Sequence, residues 1–230
     1  MNYEKLCRGC GHRIAMHIID DIVEKRNLKE KVVLALDVAC CSLIIDDCEY
    51  DSIMSPHGRV LPVSKGIKSI KKDQIIVSYM GDGAAYNIGM GEMVNAAMRN
   101  DDALIIVINN GFLSMTGGQA SNTALNGAIT ASTPYGKDKT KDGDGLKFEN
   151  ILSGFNVSYF ARAALNSKKN IDDAYLYINK AFDKYISCGG FNMVELVSPC
   201  PSNFRLSPKD MFKYIDDVVL KYYKTGEFIC

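Results

Sequence analysis

The chain has 230 residues, and its 27 Lys and Arg are balanced by 27 Asp and Glu. A net charge of zero argues against a general attraction to nucleic acid or to an anionic membrane, so neither is expected as a partner. Apolar residues make up 47% of the chain, enough for one large core, and no apolar run approaches the ~18 residues of a membrane span. A single domain over 1–230 is expected. With no secretory leader apparent, a cytoplasmic location is expected, so the eight cysteines are read as metal ligands before disulfides.

In chain order, Cys7-Arg8-Gly9-Cys10 places a Cys-x-x-Cys on a tight turn. Ile14, Ala15, Ile18, Ile19 and Ile22 then share one helical face, predicting a helix over 12–25. A buried strand is predicted over 32–38, ending at Cys40 and Cys41, and a short helix over 62–70 after Pro56-His57-Gly58-Arg59. Further strands are predicted at 75–79, 103–108, 157–162 and 191–197, with helices at 84–99, 170–186 and 207–223. Such alternation predicts an α/β fold, a mainly parallel sheet with helices on both faces.

The strongest chemical signal lies between the second and third of these strands. Gly81-Asp82-Gly83 interrupts an apolar run and leaves backbone N–H groups open to a ligand, with a helix N-terminus facing the same turn, a ready site for a pyrophosphate. The next strand delivers Asn109 and Asn110 at its carboxyl end. In a parallel sheet both ends open into one crevice, so Asp82 and Asn110 can meet over a divalent cation, for which carboxylate and amide oxygens suit Mg²⁺. A second Gly-Asp-Gly at 143–145 has no strand before it and is read as loop. Cys7, Cys10, Cys40 and Cys200 could ligate Zn²⁺ or a [4Fe–4S] cluster, or be redox-active or core thiols; spacing does not choose.

Gly-Asp-Gly followed by Asn-Asn resembles the thiamine-diphosphate signature. Cys-x-Gly-Cys-Gly-His, Ala-Cys-Cys-Ser, Pro-His-Gly-Arg-Val-Leu-Pro-Val, Asn-Gly-Phe-Leu-Ser-Met-Thr-Gly-Gly-Gln and Ser-Pro-Cys-Pro-Ser-Asn extend the match over nearly the whole chain. Together they look like the thiamine-diphosphate-binding, β-type subunit of the 2-oxoacid:ferredoxin oxidoreductases. That resemblance implies the thiamine-diphosphate-binding fold, with Asp82, Asn110 and the Phe112 carbonyl on Mg²⁺. Ala39, Cys40, Cys41, His57, Gly81, Gly83, Ala84, Ser114 and Met115 would then lie at the cofactor. It implies a [4Fe–4S] cluster on Cys7, Cys10, Cys40 and Cys200, with Cys41 the alternative to Cys40. His57 is the expected catalytic side chain, against a satisfied loop histidine; Arg59 is read either as a phosphate partner or as a partner of a surface acid.

The implied reaction is the CoA-dependent oxidative decarboxylation of a 2-oxoacid to acyl-CoA and CO₂, with electrons passing to ferredoxin. Thr-Gly-Gly-Gln, Ser-Thr-Pro-Tyr-Gly at 132–136 and the tail from Ser198 look like the branched-chain, 2-oxoisovalerate type; pyruvate and 2-oxoglutarate are the alternatives. A chain of this length is expected to lack the pyrimidine-binding domain, and so to need an α-type subunit alongside further oxidoreductase subunits. Two other readings compete: a non-oxidative thiamine-dependent decarboxylase subunit, which needs no cluster, and a zinc-stabilised binding module. The segment 111–150 shows little periodicity and is expected to wrap the cofactor; a solvated loop is preferred there to a Ca²⁺ loop at 138–149.

Overall fold

Isoleucine, valine and leucine dominate the central strands, and their alternation splits a sheet between two cores. The computed structural model describes residues 3–230. Its seven-stranded sheet runs in the order β2-β1-β3-β4-β8-β7-β9. The strands are β1 (Val32–Asp37), β2 (Asp51–Ser55), β3 (Ile75–Gly81), β4 (Ala103–Asn109), β7 (Tyr159–Ala164), β8 (Phe191–Val197) and β9 (Gly226–Ile229). All pairings are parallel except β7 with β9. β5 (Phe112–Leu113) and β6 (Gln119–Ala120) form a separate small hairpin.

Val32, Leu34 and Leu36 of β1, Val77 and Tyr79 of β3, and Leu104, Ile106 and Ile108 of β4 face one core. That core is covered by α1 (Gly11–Lys25) and α6 (Lys168–Cys188). Ala35, Ile76, Met80, Ile105 and Val107 face the other, under α2 (Val60–Ile70), α3 (Met90–Met98) and α5 (Phe148–Leu152). The period of two that made the strands legible thus builds both layers.

The chain goes outward from β1 to β2 and then crosses back to β3 on the other side of β1. That reversal makes the carboxyl ends of β1 and β3 the switch point of the sheet, where a crevice opens.

Three stretches differ from the sequence expectation. The helix expected over 84–99 is a π turn, Gly83–Ile88, followed by α3, and Gly89 N–H bonds back five residues to Ala84 O at 2.8 Å. The expected helix over 207–223 is likewise α8 (Pro208–Tyr214), a π turn (Ile215–Val219) and α9 (Leu220–Tyr222). The segment 111–150 is built rather than featureless. It holds the β5/β6 hairpin, α4 (Lys139–Asp142) and the start of α5, and Asp138 caps α4 by accepting from Thr140 N–H. Gly143, with φ +73, follows α4, so the second Gly-Asp-Gly is a helix exit and loop as read. Among the described residues no helix is long and apolar enough to cross a membrane.

Candidate functional site

At the switch point lies a cavity of about 290 Å³. The turn after β1 contributes Val38, Ala39 and Cys40; the turn after β3 contributes Gly81, Asp82, Gly83 and Ala84; Asn110, Phe112, Leu113, Ser114, Met115 and Thr116 follow β4. His12 and His57 complete the wall. The structure therefore gathers in one place nearly every residue the sequence assigned to the cofactor and to Mg²⁺. Cys41 is the exception: it is buried in the core, and its Sγ donates to the Asp37 carbonyl at 3.3 Å. Cys40 and Cys41 open a 3₁₀ helix (Cys40–Asp47), and Cys40 is the one on the cavity.

Asp82 is fully buried, and its Oδ2 accepts three hydrogen bonds: from Gly111 N–H at 3.0 Å, Ser121 Oγ, and Thr123 Oγ1 at 2.6 Å. Gly111 can donate there because it adopts φ +81, a left-handed conformation that costs glycine nothing and turns the chain back after Asn110. Oδ1 accepts no hydrogen bond among the described residues. Burial pushes the Asp82 carboxyl up to about 6, and the three donors hold it down only in part. An ionised carboxylate held at one oxygen with the other open is a fitting cation ligand, since a cation supplies the charge compensation that burial removes. Asn110 Oδ1 accepts from Phe112 N–H at 3.0 Å and Ser114 Oγ at 3.3 Å, which fixes the amide oxygen on the same wall. This donor set fits Mg²⁺ carrying a diphosphate.

His57 Nδ1 lies 2.6 Å from Oδ2 of Asp37, a fully buried carboxylate at the end of β1. His12 is also buried, its Nδ1 2.9 Å from the Tyr79 hydroxyl, and burial lowers it to about 4. Arg59 faces away from the cavity and pairs with Glu92 at 2.7 Å, so the surface-acid reading holds.

Beside the cavity stand four thiols. Burial pushes Cys10 up to about 12 and Cys40 up to about 11; the Cys7 and Cys200 sulfurs add to both, and Cys40 adds to Cys10. The segments carrying them meet although residues 7 and 200 are far apart in sequence: Cys7 Sγ lies 3.1 Å from Ser202 Oγ, and Gly11 N–H, next to Cys10, donates to Pro199 O at 3.4 Å. Ser114 Oγ is 3.4 Å, and Asn203 Nδ2 3.3 Å, from Cys200 Sγ. No group of three or more His, Cys, Asp or Glu is close enough to hold a single metal ion among the described residues.

Behind Asp82 and Asn109 lies a buried network that sequence reasoning missed. Arg162 of β7 donates through Nε to Glu195 Oε1 at 2.7 Å and pairs through its outer nitrogens with Glu149. Glu195 also accepts from Asn109 Nδ2 at 3.0 Å and Tyr86 Oη at 2.5 Å. Tyr223 packs against the guanidinium and donates to Thr123 O at 2.8 Å, one residue-length from Asp82. The only sequence signal was a charge inside each of two apolar strands.

Residues 37–195 match the family described as thiamine pyrophosphate enzyme, C-terminal TPP binding domain. The chain is 32% identical over 213 residues to the 2-oxoglutarate synthase subunit KorB of Archaeoglobus fulgidus, covering 92% of this chain and 75% of that one. It is 29% identical over 223 residues to the ketoisovalerate oxidoreductase subunit VorA of Methanothermobacter thermautotrophicus, covering 96% of this chain and 47% of that one. The chain thus spans about half the length of that relative. Its fold matches a solved 2-oxoglutarate:ferredoxin oxidoreductase from Magnetococcus marinus, with a TM-score of 0.74 at 21% identity over 88% of this chain and 69% of that one.

Proposed function

Because this chain belongs to the thiamine-pyrophosphate-binding β-subunit family of the 2-oxoacid:ferredoxin oxidoreductases, we propose that it forms the cofactor-binding half of a CoA-dependent 2-oxoacid oxidoreductase. The observation that carries the reading is the cavity at the switch point, where Asp82 and Asn110 share a wall with Cys40 and His57. Bound thiamine diphosphate supplies the electron sink for decarboxylation, and a [4Fe–4S] cluster an acceptor for electrons taken singly. Asp82 and Asn110, with the Phe112 carbonyl, hold Mg²⁺ against the diphosphate. Gly81, Gly83 and Ala84 let the backbone approach it closely. Ser114 and Met115 flank the cofactor, and Cys7, Cys10, Cys40 and Cys200 bind the cluster. The hydrogen bond from Asn203 Nδ2 to Cys200 helps set its potential. His57 handles a proton at the reacting centre.

An α-type subunit supplies the pyrimidine-binding domain, further subunits complete the complex, and ferredoxin takes the electrons. Eight free thiols, with no disulfide among the described residues, suit a reducing cytoplasm. A branched-chain substrate such as 2-oxoisovalerate is favoured because Val38, Ala39, Leu113 and Met115 line the cavity and, among the described residues, no Lys or Arg does. The second carboxylate of 2-oxoglutarate would call for a cation there. The likeness to KorB is the observation on the other side.

The test is calorimetric titration of thiamine diphosphate into the purified chain with and without Mg²⁺. Mg²⁺-dependent binding abolished by Asp82→Ala supports the reading; Mg²⁺-independent binding, or binding unaffected by the substitution, removes it.

A further inference from the structure

The buried carboxylate of Asp37 has no part in the scheme above, yet both its oxygens are committed. Oδ1 accepts from the Gly58 backbone N–H at 2.7 Å, and Oδ2 lies 2.6 Å from His57 Nδ1. Gly58 adopts φ +71, and a Cβ there would sit 2.8 Å from Ile88 Cγ2 and 2.9 Å from Gly89 N. The turn carrying His57 is therefore pressed against the π turn on one side and tied to Asp37 on the other. Four residues after Asp37, the Cys41 thiol donates to the Asp37 backbone carbonyl.

An ionised carboxylate accepts and cannot donate, so the proton between it and the ring belongs to His57 Nδ1. A neutral ring protonated at Nδ1 leaves Nε2 with its lone pair. His57 lines the cavity, and only its Nδ1 edge is turned to Asp37.

We propose that Asp37 is a positioning residue that fixes the Nδ1–H tautomer of His57 and presents Nε2 to the cavity as a proton acceptor. The task given to that acceptor rests on the functional reading above; the tautomer itself does not. Asp37 is not among the residues lining the cavity, so it acts through the histidine, as the orienting carboxylate of a catalytic triad does.

The chain has three histidines, His12, His17 and His57, so a ¹⁵N-histidine-labelled sample gives a spectrum that His57→Gln assigns directly. At about pH 8, where an imidazole is largely neutral, long-range ¹H–¹⁵N correlation of the purified chain should show His57 protonated at Nδ1 and bare at Nε2. Asp37→Asn keeps an oxygen for Gly58 N–H, which forces its amide NH₂ toward His57 and should move the ring proton to Nε2. A wild-type His57 already protonated at Nε2, or a His57 pattern unchanged by Asp37→Asn, overturns the proposal.

In the complex reconstituted with its partner subunits, Asp37→Asn should lower kcat roughly 100-fold with thiamine diphosphate affinity unchanged. It should add nothing in a His57→Gln background. An equal loss in both backgrounds would make Asp37 a purely structural residue and overturn the proposal. If the tautomer is as expected but His57→Gln leaves turnover unchanged, the positioning stands and the catalytic role given to His57 falls.

Discussion

Replacing Arg162 by methionine tests whether the buried ion network is what fixes the ground beneath Asp82 and Asn109. Arg162 is 0% and Glu195 1% exposed, while Glu149 keeps a partly exposed edge. Methionine fills much of the side-chain volume, so the main loss is charge compensation. Removing one partner of a buried pair costs about 3–5 kcal/mol, because the other charge is left stranded. Glu195 retains donors from Tyr86 and Asn109, and Glu149 can turn to water, which places the expected cost near the lower end, about 3 kcal/mol. For a chain of this size that is a fall in Tm of roughly 6–12 °C. Differential scanning calorimetry under reducing conditions reads it. Adding Glu195→Gln to Arg162→Met removes the stranded charge, so the double variant should be no less stable than Arg162→Met alone. Arg162→Met within about 1 kcal/mol of wild type, or a double variant whose loss equals the sum of the singles, would refute the reasoning.

The cavity and the thiols support further expectations. Cys40→Ser should lower the iron bound per chain and Cys41→Ser should leave it intact, because only Cys40 lies on the cavity; the ferrozine assay on anaerobic protein separates them, and the reverse pattern would move the ligand to Cys41. Asp82 sits at about 6 in the folded chain, above its ordinary 3.8. In the cation-free chain its proton is therefore held through a window the unfolded chain has already left, and its contribution to stability falls as pH rises from about 4 to about 6. Mg²⁺ binding reverses this by requiring the carboxylate, so about one proton per chain should be released near pH 5 and almost none near pH 8. Calorimetry in buffers of different ionisation heat measures it, and equal release at both pH values would deny Asp82 its role. In the assembled enzyme, 2-oxoisovalerate should give a higher kcat/KM than 2-oxoglutarate; the opposite order would show that the partner subunit supplies a cation to the cavity.

Much of this arrangement is written in short-range sequence. The runs at 75–77 and 104–108, nearly all β-branched, read as buried strands, and the parallel pairing of β3 with β4 brings Asp82 and Asn110 onto one cavity. The Cys-x-x-Cys turn is equally local, whereas its meeting with Cys200 depends on the exit of β8, where Pro199 O accepts from Gly11 N–H. Asp37 was not legible, because its meaning lies in a bond to His57 twenty residues later, across a turn whose shape depends on Gly58. Arg162 and Glu195 look like interruptions in apolar strands until their register sets them opposite one another. β2 was hidden because three of its five residues face solvent, and β9 because it is a four-residue antiparallel edge added after the last helix. The π turns at 83–88 and 215–219 read as ordinary helix because their extra residue per turn leaves the apolar pattern nearly unchanged.

In the proposed scheme the thiols beside the cavity hold a cluster that takes electrons from chemistry in it. Iron content and low-temperature EPR on protein purified without oxygen, before and after dithionite, test that most directly. About four irons per chain and a reduced [4Fe–4S] signal are the expected result. Zinc in its place, or a fully folded chain without metal, would contradict the account.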